Sequence, residues 1–137
     1  CGCGANGLIA QGVEAGGHLA GETPALTFLP RALEIARGRP VLLAGGIATA
    51  DDTRTAMAAG AAGVVAGTRF LLTDEACANR EYQRRILKAD TTFRTTLFGL
   101  GWPAPHRVVA NAATRRWCHD DGRAKLAGEL VARMHVG

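Results

Sequence analysis

The sequence is poor in aromatic residues, in runs of like charge and in long apolar stretches, and each shortage closes off a class of function. Aromatic side chains make up 5% of the chain. That leaves few flat platforms on which nucleic-acid bases could stack. The net charge is +4, but the arginines are scattered (Arg84-Arg85, Arg115-Arg116, Arg123) and form no basic run. An anionic small ligand is compatible with this balance, and a nucleic-acid partner is not expected. No apolar stretch is long enough to span a bilayer, and none has the pattern of a secretory signal, so no membrane segment is expected. Cysteine is sparse and irregular, at positions 1, 3, 77 and 118. Cys1-Gly2-Cys3 is too tight for the usual zinc pair and no second pair follows, so no metal site is expected. The same irregularity argues against a disulfide framework. It suggests reduced thiols and a cytoplasmic protein.

What the sequence does have is glycine and a modest apolar core. The 137 residues are 47% hydrophobic and include 18 glycines. That length suits one domain at most. Three short apolar runs stand out: GLIA at 7–10, VLLA at 41–44 and GVVA at 63–66. Each is brief, uniformly apolar and followed by glycine within two residues, as in strands covered on both faces. Between the first two, Leu26, Leu29, Leu33 and Ile35/Ala36 fall near helical spacing, which predicts a helix over 26–37. Between the second and third, Thr49 with Asp52 three residues on marks a capping box, and Gly60 marks a left-handed stop. A helix is predicted over 50–59. The order strand, helix, strand, helix, strand with short links indicates parallel βαβ units. Beyond them a helix is predicted over 74–87. Residues 90–121 read as irregular because of Gly99, Gly101, Pro103 and Pro105. Leu126, Leu130, Val131 and Met134 mark a final amphipathic helix.

Ligands of α/β folds gather at the carboxyl ends of the strands. Three glycine loops leave those ends here: QGVEAGGHLAG (11–21), AGGI (44–47) and AGTRF (66–70). Glycine lets backbone N–H groups approach an anion, and a helix N-terminus adds partial positive charge. Thr68 adds a hydroxyl. Gln11, at the end of its strand, offers an amide to a planar heterocycle. Gly16 and Gly17 clear space for a flat ring. His18 is the side chain suited to taking a proton near neutral pH. Glu14 is expected to pair with backbone N–H groups. His106, His119 and His135 have no companion acid at telling spacing and are read as having no chemistry.

These segments resemble the nitronate monooxygenases, formerly called 2-nitropropane dioxygenases. The matching stretches are AQGVEAGGH (10–18), PVLLAGGIATADD (40–52), GAAGVVAGTRFLLTDEA (60–76) and DTTFRTTLFGLGWPAPHRVVAN (90–111). The first is the specific one, and the next two occur loosely in many phosphate-binding barrels. The resemblance implies an α/β fold: the C-terminal portion of a (β/α)8 TIM barrel, with about three βα units over 1–72 and a helical and irregular C-terminal extension over 73–137. A full barrel needs eight strands and about 250 residues. The chain supplies strands read as the sixth to eighth of one FMN-binding domain, so a longer parent protein is expected. The resemblance further implies an FMN-dependent oxidation of alkyl nitronates or nitroalkanes by molecular oxygen, giving a carbonyl compound and nitrite. Gln11, Gly16 and Gly17 would lie at the flavin ring. Gly45 and Gly46 would meet the FMN phosphate, with Val65, Ala66, Gly67 and Thr68 forming the other half of its cradle. His18 would be the catalytic base for a neutral nitroalkane, or would orient an anionic nitronate. Unpaired strand edges make a homo-oligomer plausible. Two alternatives remain: an FMN-dependent enoyl-acyl carrier protein reductase using NAD(P)H, which tends to carry an acid where Gln11 stands, and a non-catalytic flavin- or phosphate-binding fragment.

Overall fold

A computed structural model of the chain describes residues 4–97 and 104–117. The chain divides into two compact units, one ending at Ala78 and the other beginning at Asn79.

The first unit is built on three short strands: β1 (Leu8–Gln11), β3 (Val41–Ala44) and β4 (Gly63–Val65). They form one parallel sheet in the order β1-β3-β4, with Ala10 opposite Leu43 and Leu43 opposite Val64. A two-residue extended segment, β2 (Gly17–His18), lies in the loop after β1. Helix α1 (Ala25–Ala36) crosses from β1 to β3, and α2 (Ala50–Ala58) crosses from β3 to β4. The alternation read in the sequence is therefore the fold, within a residue or two at each boundary.

The core lies between helices α1 and α2 and one face of the sheet. It is made of Ala10, Ala25, Leu29, Ala32, Ala36, Val41, Leu43, Ala56 and Ala61. Leu29, Val41 and Leu43 are its large, fully buried members. The buried stripe of α1 is Ala25, Leu29, Ala32 and Ala36, at helical spacing. This corrects the stripe expected from Leu26 and Ile35, which are both exposed. Alanine wins the inner positions because a small side chain lets the helix axis approach the pleated sheet closely. By the two-residue alternation of a strand, Ile9 and Gln11, Leu42 and Ala44, and Gly63 and Val65 share the other face. Ile9 and Val65 are exposed there.

Helix α2 starts at the box foreseen for it. The Thr49 hydroxyl accepts from the Asp52 amide at 3.2 Å, and Asp52 Oδ2 accepts from the Thr49 amide at 2.8 Å. Gly60, at φ +103°, follows its C-cap. Asp52 Oδ2 also accepts from the Thr49 hydroxyl at 2.8 Å and the Ala48 amide at 3.0 Å. These bonds, the Thr49 hydroxyl foremost, hold the Asp52 carboxyl below its ordinary value of 3.8. A depressed carboxyl contributes stability that is present above the unfolded value and is lost as pH falls through the folded one. Asp52→Ala should therefore lower Tm at pH 7, and the gap to the parent should close as pH drops below about 4. Melts of equal separation at pH 7 and pH 3 would show that the charge on Asp52 is not what holds the box.

After β4 the chain makes a 3-10 turn over Thr68–Leu72. The helix expected over 74–87 is shorter: α3 covers Arg80–Leu87. Asn79 sets its start, its side-chain oxygen accepting from the Glu81 amide at 2.8 Å. Asn is among the best N-caps, and this local bond competes with any helix running through it. The segment expected to be irregular holds a hairpin and a short helix. Strand β5 (Thr92–Thr95) pairs antiparallel with β6 (His106–Val109), with Phe93 opposite Val108. Helix α4 (Ala112–Trp117) follows, started by Asn111 and Thr114 exchanging side-chain to backbone bonds of 2.9 and 2.8 Å. The expected last helix around Leu126–Met134 lies outside the described residues. Among the described residues, no helix is long and apolar enough to cross a membrane.

Candidate functional site: three interlocked glycine loops

Because β1, β3 and β4 are parallel, the loops that follow them leave the same end of the sheet. The first loop is held at its stem. The Gly12 amide donates to Ala44 O at 2.8 Å, continuing the β1–β3 ladder by one rung, and the Val13 amide donates to Thr23 O at 2.9 Å. A tight turn follows, with the Ala15 amide on Gly12 O at 3.1 Å. Glu14 then reaches to α1, its Oε2 accepting from the Ala25 amide at 2.9 Å. Pro24, at the N-cap, contributes no side-chain cap, so Glu14 does that work from the loop. Its expected pairing with a backbone N–H is what the structure has.

The loops are packed against one another at glycine. A Cβ on Gly45 would stand 3.1 Å from Gly12 O and 3.2 Å from the Ala15 amide nitrogen. A Cβ on Gly46 would stand 3.3 Å from Glu14 Cβ. Both glycines have positive φ, +112° and +72°, which L side chains rarely adopt. The first and third loops meet where a Cβ on Gly16 would come 2.5 Å from Thr68 Oγ1. Gly17, at φ +76°, turns the first loop into β2, and a Cβ on it or on Gly67 would meet nothing within 4 Å. Space is therefore open beside the first and third loops.

The structure brings the expected site residues together as follows. Gln11 ends β1, and Gly16, Gly17 and the exposed His18 lie in the loop after it. Gly45 and Gly46 link β3 to α2. Val65 ends β4, Ala66 and Gly67 follow, and Thr68 opens the 3-10 turn. The Ala48 and Thr49 amides, at the start of α2, are taken by Asp52. The Thr49 bond belongs to the capping box that the Thr49–Asp52 spacing predicts, and the Ala48 bond lies beyond it. Gln11 also uses its amide on the loop itself: Nε2 donates to His18 O at 3.1 Å, and Oε1 accepts from the Ala20 amide at 3.0 Å. Nothing in the local pattern signals those two bonds.

A parallel α/β sheet with interlocked glycine loops at one strand end is a small-ligand enzyme scaffold. The chain belongs to the nitronate monooxygenase family, whose model matches residues 1–128. It is 41% identical over 101 residues to a nitronate monooxygenase of Pseudomonas aeruginosa, covering 69% of this chain and 28% of that protein. It is 42% identical over 110 residues to the (3aS,4S,5R,7aS)-5-hydroxy-7a-methyl-1-oxo-octahydro-1H-indene-4-carboxyl-CoA dehydrogenase of Rhodococcus jostii, covering 77% of this chain and 29% of that protein. Among solved structures, FabK from Thermotoga maritima superposes with a TM-score of 0.79 at 32% identity, over 92% of this chain and 40% of that one. The chain spans about a third of the length of its curated relatives. The two curated relatives are named as a monooxygenase and a dehydrogenase.

Proposed function

We propose that the chain is the last three βα units of an FMN-dependent (β/α)8 barrel that oxidises alkyl nitronates or nitroalkanes with molecular oxygen, yielding a carbonyl compound and nitrite. The observation that carries this reading is the meeting of a histidine-bearing loop with two glycine loops at one end of the β1-β3-β4 sheet, in a chain of the nitronate monooxygenase family. The residues fit a flavin phosphate. Gly45 and Gly46 occupy backbone conformations that L side chains rarely adopt, and as glycines they put no side chain in the way of an anion. Val65, Ala66, Gly67 and the Thr68 hydroxyl would form the other wall, with open space at Gly67. Gln11, Gly16 and Gly17 would lie along the ring.

Bound FMN would supply the redox chemistry. The chain's own part is placement and a proton. His18 takes the α-proton from the carbon of a neutral nitroalkane, at an exposed imidazole on a loop tied to β1. The glycine walls would hold the cofactor, and Gln11 holds the loop.

The test is to purify the protein, add FMN, and assay nitrite in air with propyl-2-nitronate. Retained yellow flavin with nitrite release supports the reading. NADH consumption with a crotonyl thioester and no nitrite would move it to the enoyl-reductase alternative. Flavin retained without either activity would make the chain a binding fragment.

A further inference from the structure

We infer that Gln11 is a positioning residue: its side-chain amide is a two-point clamp that sets where His18 stands. The inference rests on the reading of His18 as the proton-handling group. The clamp itself can be tested without it.

Gln11 is anchored in the sheet. It is the last residue of β1 and sits in register with Ala44 of the central strand. From there its amide spans the loop. Nε2 donates to the carbonyl of His18, seven residues on, and Oε1 accepts from the amide of Ala20, nine residues on. The two bonds bracket Leu19, which is 3% exposed and so is held by burial as well. Ahead of the bracket run Gly16 and Gly17, the latter at φ +76°. Glycine has the largest backbone freedom to lose, so a Gly-Gly lead-in does little to fix the residue after it. The clamp supplies that constraint from the strand.

The chemistry of the side chain explains why it is glutamine. One planar group must donate to a carbonyl and accept from an amide two residues further on. A neutral amide does both, and a carboxylate does only the second. Glutamate would also set its charge against the His18 carbonyl dipole. Asparagine is one methylene shorter. A glutamine amide has two N–H groups and two lone pairs, and the clamp uses one of each. One N–H and one lone pair remain, so the same residue can hold the loop and still face a flavin ring.

A ring contact and a clamp make different predictions in the FMN-free chain. There a ring contact has nothing to act on. Amide hydrogen exchange and NMR spectra of the FMN-free protein, parent against Gln11→Ala and Gln11→Glu, separate them. The clamp predicts that Ala20 exchanges about tenfold faster in Gln11→Ala, the loss expected of one hydrogen bond. It predicts that Gln11→Glu keeps Ala20 protected but moves the His18 imidazole signals, because only the donor is lost. With FMN and a nitroalkane, Gln11→Glu should lower kcat by about tenfold to a hundredfold and change KM little, as expected of a displaced catalytic group. Unchanged Ala20 exchange and unchanged His18 signals in the FMN-free variants would overturn the clamp. If Gln11→Ala does not fold, Gln11→Glu decides alone: no movement of His18 there overturns it. A parent protein that releases no nitrite, yet shows both FMN-free effects, would overturn the functional reading and leave the clamp standing.

Discussion

Gly12→Ala should destabilise the protein by about 3 kcal/mol or more, although it adds a single methyl group in a loop. The added Cβ would lie 2.3 Å from the Ala25 amide nitrogen and 2.4 Å from both Ala25 Cα and Cβ. Real carbon atoms do not approach so closely, so something has to move. Gly12 cannot retreat, because its own amide continues the sheet by bonding Ala44 O. Ala25 cannot retreat either. It is buried, it opens α1, and its N–H is held by Glu14. The obstruction is backbone on both sides, which no rotamer change relieves. By contrast, the methyl of Gly16→Ala would meet the end of one threonine side chain, which can rotate away. The control is Gly21→Ala, in the same loop, where a Cβ meets nothing within 4 Å. It should stay within about 0.5 kcal/mol of the parent. Urea denaturation of both variants checks this. Two variants of equal stability would mean that the loop and α1 are not packed as described.

The contrast between these glycines shows what sequence reading can and cannot reach. The three strands were legible because each is short, apolar and closed by glycine. Helix α2 was legible because Thr49 and Asp52 carry its start in their spacing. Gly12, Gly16 and Gly21 look alike as letters, but only contact distance sorts them. The inner stripe of α1 departs from the sequence pattern for a related reason. Leu26 and Ile35 are more hydrophobic than Ala25 and Ala32, but close packing on a sheet selects for size as well as polarity. The β5–β6 hairpin is hidden in the sequence because Gly99, Gly101, Pro103 and Pro105 all fall between its two strands and read as breakers of the whole segment. The start of α4 did carry a signal, Asn111 with Thr114 three residues on, in a reciprocal arrangement like the Thr49–Asp52 box. The Gln11 clamp had no such signal. Its partners are backbone atoms of His18 and Ala20, and they come within reach only after Gly17 turns the chain.

The choice between the two roles proposed for His18 gives the largest kinetic effect. In the FMN-loaded protein, His18→Gln should cut kcat/KM for a neutral nitroalkane by about 10²- to 10⁴-fold, the range for losing a general base. That corresponds to about 3–5 kcal/mol of transition-state stabilisation. The same variant should turn over the matching nitronate anion with a much smaller loss. The anion has already given up its α-proton, so the step that needs the base is behind it. The two substrates lead to the same products, which makes their ratio a direct reading of proton transfer. Flavin content measured on the same sample guards against a loss caused by an empty site. Equal losses on both substrates would reassign His18 to orienting the anion. No loss on either would remove it from the chemistry altogether. The clamp bears on this ratio too. Gln11→Glu leaves the imidazole in place chemically but displaces its backbone, so it should penalise the nitroalkane more than the nitronate. The direction of that bias should match that of His18→Gln, and its size should be smaller, because a misplaced base still takes protons while an absent one does not.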